Sequence, residues 1–154
     1  MLKKIISGGQ TGADRAGLEA ALILNIPTGG FCPRGFMTEL GRDLSLKKFR
    51  LKETDTFKYD ERTVKNVLSA DGTVIFCRLD SKKRIVGDGT QLTYAIAVNN
   101  LKPVIVNPSR KKFLSWLEKN KIEILNVAGN RESQNPGIFE KTKKFLVKAL
   151  FEDE

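Results

Sequence analysis

Apolar positions along this chain follow two rhythms, short continuous runs and longer stretches at helical spacing, and the two alternate from end to end. Lys3 to Ser7 is a short β-branched run and predicts a first strand. Ala13 to Leu24 predicts a helix, closed by Asn25 and the breaker Pro27. Thr28-Gly29-Gly30-Phe31-Cys32-Pro33-Arg34-Gly35 holds a short second strand and then a loop, and residues 36 to 56 read as the longest irregular segment. Asp60 to Ser69 predicts a helix with Val64, Val67 and Leu68 on one face. The Asp71-Gly72 turn leads into Thr73-Val74-Ile75-Phe76-Cys77, a continuous run of the kind covered on both sheet faces.

The second half repeats the pattern. Thr90 to Asn99 predicts a helix with Leu92, Ala95, Ile96 and Asn99 in one stripe, and Pro103 to Val106 a strand. Ser109 caps a helix carrying Phe113, Leu114, Trp116 and Leu117, and Ile122 to Val127 is the next strand. Asn135 and Pro136 read as cap and first position of a last helix running through Ile138, Phe139, Thr142, Phe145, Leu146, Ala149 and Leu150. Strands separated by helices call for a parallel sheet covered on both sides. The expected fold is α/β: one Rossmann-like, doubly wound, mainly parallel sheet flanked by helices, with residues 1–154 as a single domain. The strands at 3–7, 73–77 and 103–106 are expected to be central, parallel and covered.

Composition narrows the chemistry. A chain of 154 residues with 40% hydrophobic and 29% charged residues is a folded domain of ordinary size, not a disordered one. Its longest apolar runs, such as Val104-Ile105-Val106, fall far short of a membrane span. The start, Met1-Leu2-Lys3-Lys4-Ile5-Ile6, lacks the apolar region of a signal peptide, which points to the cytoplasm. There is no histidine, so imidazole is removed as base and as metal ligand. Cys32 and Cys77 have no metal-site spacing and read as small core residues, so no directly bound metal is expected. The net charge of +9 is spread over short groups, Lys47-Lys48, Lys82-Lys83-Arg84, Arg110-Lys111-Lys112 and Lys143-Lys144, without an aromatic platform. Solvation and attraction of small anions explain that charge better than specific nucleic-acid binding.

Ligands of open parallel sheets bind beyond the carboxyl ends of the strands, and three candidate loops lie there. The first is Ser7-Gly8-Gly9-Gln10-Thr11-Gly12-Ala13-Asp14-Arg15, in which a strand runs into glycines and then into a helix. Glycine admits a ligand close to the backbone, and a helix start offers free N–H groups, so Gly8, Gly9, Thr11, Gly12, Asp14 and Arg15 are candidates for holding a phosphate. The spacing is neither that of a dinucleotide fingerprint nor that of a P-loop, since Ala13 stands where the P-loop has lysine. A tight turn with Asp14 as a helix-start charge is the plainer reading of the same residues. The second loop, Val86-Gly87-Asp88-Gly89-Thr90, offers Gly87, Gly89 and Thr90 in the same way, with a plain cap as the alternative. If strand ends face each other across the switch point of the sheet, the two loops form one pocket. The third, Asn126-Val127-Ala128-Gly129-Asn130-Arg131-Glu132-Ser133, offers Arg131 to clamp an anion and Glu132 to orient it or accept a ribose hydroxyl. Arg34, in Cys32-Pro33-Arg34-Gly35, is a further candidate cation.

The segment Ile6-Ser7-Gly8-Gly9-Gln10-Thr11-Gly12-Ala13-Asp14-Arg15-Ala16-Gly17-Leu18 resembles the opening motif of the putative molybdenum carrier family. The resemblance continues through Ile26-Pro27-Thr28-Gly29-Gly30, Arg62-Thr63 with Asn66-Val67, and Asp71-Gly72-Thr73. It ends in Gly89-Thr90-Gln91-Leu92-Thr93 and Leu125-Asn126-Val127-Ala128-Gly129 followed by Arg131-Glu132-Ser133. That family is similar to the wider Rossmann-like group of molybdenum cofactor carriers and LOG-type "lysine decarboxylases", which are nucleotide phosphoribohydrolases. The resemblance implies a pterin or nucleotide ligand with its phosphate on the glycine loops, and a homo-oligomer. LOG-type hydrolases carry P-G-G-x-G-T-x-x-E, whose glutamate acts with an arginine in glycosidic cleavage. Here Gly87, Gly89 and Thr90 match, but Ile85 replaces the proline and Thr93 the glutamate. Threonine does not replace a carboxylate as base or cation stabiliser. The expectation is therefore a binding protein, a carrier of molybdenum cofactor (molybdopterin) or of a nucleotide. The alternatives are a nucleotide-processing enzyme using Asp14 or Glu132, and a nucleotide-sensing module.

Overall fold

The computed structural model describes residues 2–151. In chain order the elements are β1 (Lys4–Ile6), α1 (Ala13–Ile23), β2 (Thr28–Gly29), β3 (Phe31–Cys32), β4 (Met37–Thr38) and β5 (Gly41–Arg42). A 3₁₀ helix (Leu44–Phe49) and β6 (Lys52–Glu53) follow, then α2 (Tyr59–Ser69), β7 (Gly72–Phe76), α3 (Asp88–Asn99) and β8 (Val104–Val106). The chain closes with α4 (Arg110–Lys119), β9 (Ile124–Gly129) and α5 (Ile138–Leu150).

The main sheet has five strands, all parallel, in the order β2-β1-β9-β7-β8. The last strand in sequence, β9, sits in the middle. Counted as the first strand, β9 turns this order into 3-2-1-4-5, the dinucleotide-binding order without its sixth strand, with the switch point between β9 and β7. The strand at 103–106 departs from expectation: β8 is an edge strand, paired only with β7. Its apolar run has another cause. Ile105 packs into the core on one face, and Val104 and Val106 pack against Ile75, Cys77 and Ala128 on the other. Helices cover both faces of this sheet, so even an edge strand is apolar throughout.

Helices α1, α4 and α5 pack together on one face and α2 with α3 on the other. On the first face Ile5, Val74, Leu125 and Val127 meet Ala13, Ala20, Phe113 and Leu146, all fully buried. The small residues of α1 let it lie close to the sheet: a Cβ on Gly17 would stand 2.6 Å from the Val127 Cβ. Residues 36 to 56 are more ordered than their lack of periodicity implies. β3 pairs parallel with β6, and β4 antiparallel with β5. With the 3₁₀ helix, this segment buries Phe36, Leu46, Phe49 and Leu51 over Leu18. Two-residue strands are too short to leave a period.

Three helix boundaries or faces differ from the sequence reading. α3 begins at Asp88, with Gly87 as its N-cap. α5 begins at Ile138 after a left-handed Gly137, and Asn135 serves it only through its carbonyl, which accepts from Ile138 N at 3.0 Å. In α2, Val64 and Leu68 are 36% and 44% exposed, while Arg62, Thr63, Asn66 and Val67 are buried. The polar side of α2 turns inward because it has partners there. Asn66 accepts from Phe31 N (2.8 Å) and donates to Phe31 O (2.9 Å), and Arg62 pairs with Asp14. Among the described residues no helix is long and apolar enough to cross a membrane.

Candidate ligand-binding cleft

A cleft of about 220 Å³ opens beyond the carboxyl ends of β1 and β9, between α2 and α3. Gly8, Gln10 and Asp14 line it from the first loop; Arg62, Thr63 and Asn66 from α2; Gly89, Thr90 and Thr93 from α3; Asn126 and Arg131 from β9 and its loop. This is the place at which open parallel sheets bind ligands.

Its floor is built on an ion pair. Arg62 Nη1 donates to Asp14 Oδ2 at 3.0 Å, and both side chains are about nine-tenths buried. The Gln10 amide N–H also reaches Asp14 Oδ2, at 3.2 Å. Burial pushes the Asp14 carboxyl above its usual range, opposed by the Arg62 guanidinium, the Gln10 amide and the more distant Arg131. Gly8 makes the pair possible, since a Cβ there would lie 1.8 Å from Arg62 Nη1.

Two donors on this floor have no partner among the described residues, Arg62 Nε and Gln10 Nε2. Gln10 is only 4% exposed. Its Oε1 accepts from Thr11 N (3.0 Å) and Glu39 N (2.8 Å), which identifies Nε2 as the unused end of the amide. Buried donors are ordinarily bonded, so two orphans in one cleft are an exception to the rule. Arg131 stands nearby with its Cζ 5.4 Å from the centre of the Tyr59 ring, and Arg62 Cζ lies 5.3 Å from the same ring. Among the described residues Arg131 forms no ion pair.

Of the residues singled out in the sequence, Gly8, Asp14, Gly89, Thr90 and Arg131 line the cleft. The others lie outside its lining. Gly9 faces Leu46 and Leu51, and Arg15 pairs with Glu19 and Asp43 over the Phe49 ring. Arg34 is exposed beside Phe57. Gly12, with φ +83, backs onto the loop after β9, where a Cβ would come within 2.3 Å of the Asn130 carbonyl oxygen. That carbonyl accepts from Ala13 N at 3.1 Å, so the start of α1 is already covered. Thr11 donates to Glu39 and accepts from Glu132 N at 3.1 Å, tying two loops together. Burial alone would raise Glu39, but hydrogen bonds from Ser133 and Thr11 outweigh it and hold the carboxyl below its usual value. Glu132 caps α5, accepting from Gly137 N (2.8 Å) and Phe139 N (3.0 Å). Gly87 abuts Asn130 and Gln134.

The two glycine loops do not meet directly, because β9 lies between β1 and β7. The second also does not follow its strand at once: residues 77–87 intervene, with a bridge between Leu79 and Ile85. Asn130, 1% exposed, joins the parts. Its side chain accepts from Arg78 N (2.7 Å) and donates to Val86 O (2.7 Å) and Thr90 Oγ1 (3.3 Å). The sequence reading missed Gln10, Arg62, Thr63, Asn66 and Asn130 as site or framework residues. The readable signal was the polar stripe Arg62, Thr63, Asn66 within an otherwise amphipathic helix.

The family model described as "Circularly permutated YpsA SLOG family" matches residues 5–150. A solved structure described as "Putative molybdenum carrier protein", from Syntrophus aciditrophicus SB, is 36% identical to this chain with a TM-score of 0.85. That similarity covers 98% of this chain and 96% of the other. No curated protein matches. With a match running along nearly the whole length, the chain belongs to the circularly permutated YpsA SLOG family.

Proposed function

We propose that this protein is a small-molecule binder that holds the oxyanion of a phosphorylated nucleotide- or pterin-type ligand in the cleft between α2 and α3. One observation carries the reading: Gln10 Nε2 and Arg62 Nε are unpartnered buried donors in the same cleft. A phosphate monoester supplies the acceptors they lack, and charge-assisted bonds to it are the strong kind. Arg131 adds a cation, and the start of α3, with open space beside Gly89, adds a helix end for the anion. Small-molecule sites are typically about 300–1,000 Å³. At about 220 Å³ the cleft suits a phosphoryl group and the atoms next to it rather than a whole nucleotide.

The name of the Syntrophus protein makes molybdenum cofactor the first candidate cargo. The donor set fits its phosphate. Burial pushes both Cys32 and Cys77 up to about 11, so neither thiol is a ready nucleophile. Binding rather than hydrolysis is supported by Thr93, which lines the cleft in the glutamate position and spends its hydroxyl on Gly89 O at 3.0 Å. Asp14 favours a second reading, a nucleotide-processing enzyme, because it is a buried carboxyl with a raised pKa in the same cleft. Release of free base from nucleoside monophosphates, lost in Asp14→Asn, would establish that reading instead.

Thermal-shift titration with nucleoside monophosphates and phosphorylated pterins tests the proposal. A ligand at one hundred times its Kd stabilises by about 2.7 kcal/mol. For a chain of this length that is a rise in Tm of about 5–11 °C. Arg62→Gln and Arg131→Ala are expected to lose the shift. Wild-type shifts in both variants would remove the cleft from consideration.

A further inference from the structure

We propose that the chain carries a second ligand site, on the sheet face opposite the cleft, for an aromatic acid bearing a further polar atom. It does not depend on how the cleft is read. A cavity of about 520 Å³ opens beside the ends of β7 and β8, at the start of α5. That volume falls within the range of about 300–1,000 Å³ usual for small-molecule sites. Phe76, Phe145 and Ile138 give it apolar walls, the two rings meeting edge-on with centroids 5.4 Å apart. Arg78 and Lys141 line it as exposed cations, and neither has an ion-pair partner among the described residues.

Thr142 also faces a ligand-sized space without a partner of its own. It is fully buried, lines this cavity, and its hydroxyl has no hydrogen-bond partner among the described residues. A threonine inside a helix commonly returns its hydroxyl to the carbonyl four residues earlier. Thr63 and Thr93 do so here, to Tyr59 O and Gly89 O, each at 3.0 Å. Thr142 does not. An unused buried hydroxyl costs stability unless something else meets it. The first amides of α5 are taken by Glu132 and Asn135, so recognition of an acid falls to Arg78 and Lys141 rather than to the helix end. The carboxylate then faces these cations, the flat body lies among the apolar walls, and the further polar atom meets Thr142.

The probe is 6-hydroxy-2-naphthoate, followed by its own fluorescence and by amide NMR shifts of the full chain. Shifts are expected at Cys77, Arg78, Lys141 and Thr142 and not at Arg62 or Thr90. The double variant Arg78→Glu/Lys141→Glu is expected to bind about tenfold more weakly, consistent with two exposed charges each worth a fraction of a kcal/mol. The neutral 2-naphthamide is expected to bind both proteins alike. Thr142→Val removes the orphan hydroxyl, so its Tm is expected to rise while its affinity for the hydroxynaphthoate falls. Absence of shifts at millimolar probe, unchanged affinity in the charge-reversed variant, or unchanged affinity in Thr142→Val would each overturn the proposal.

Discussion

Replacing Gly8 with alanine tests the floor of the cleft through a single methyl group. The new Cβ would stand 1.8 Å from Arg62 Nη1, 2.6 Å from Cζ and 2.8 Å from Cδ, so the whole distal half of the arginine must move. Gly8 is not among the positive-φ residues, so alanine brings no backbone strain of its own. What is lost is the pair with Asp14 at 3.0 Å, between side chains only 10% and 8% exposed. Removing one partner from a buried pair costs about 3–5 kcal/mol, because the other charge is left uncompensated. Stabilities of whole domains are about 5–15 kcal/mol, so the loss is large. At about 2–4 °C per kcal/mol for a chain of this length, Tm is expected to fall by about 6–20 °C. Urea denaturation of Gly8→Ala, Arg62→Ala and the double variant separates the causes. With Arg62 already truncated, the alanine is expected to cost less than about 1 kcal/mol, the size of an ordinary surface-like substitution. An equal loss in both backgrounds would refute the assignment of Gly8 to Arg62.

Three further outcomes follow from the same geometry. Gly12→Val is expected to destabilise the fold itself by more than about 2 kcal/mol, with or without ligand, since it combines left-handed strain with a clash at the Asn130 carbonyl; urea midpoints measure this. Glu132→Ala uncaps α5 and is expected to cost about 0.5–2 kcal/mol while leaving ligand shifts intact, which thermal melts in the presence and absence of ligand decide. Glu39 has a folded pKa below its usual 4.5, so its contribution is present above that value and is lost as pH falls through the lowered one. Glu39→Gln is therefore expected to flatten part of the acid limb of a stability-versus-pH curve.

The local pattern reveals which segments are strands and helices, and much less of where they lie. The run at 73–77 was readable as a covered strand because both faces of β7 are buried. The same apolar signature at 103–106 misplaced β8, because burial of the faces says nothing about lateral neighbours. The central position of β9 arises from a connection spanning the chain, which no window of residues contains. In the cleft, Gly8, Asp14, Gly89, Thr90 and Arg131 were legible because loops at strand ends have a fixed place in such sheets. Arg62 was not, since its burial depends on the space left by Gly8 and the charge offered by Asp14 from another element. Gln10 was passed over because its side chain is oriented by Glu39 N, which reaches it across the irregular segment.

The spare donor of Gln10 is the group an oxyanion in the cleft would meet, and Gln10→Glu exchanges that donor for an acceptor of the same shape. Isothermal titration of wild type and this variant with a phosphorylated ligand that stabilises the wild type is the most direct measurement. Loss of a hydrogen bond to a charged group costs about 1.5–3 kcal/mol, and the added negative charge opposes the phosphate further. The variant is therefore expected to bind at least about tenfold more weakly at equal fold stability. Equal affinity in the two proteins would contradict the account.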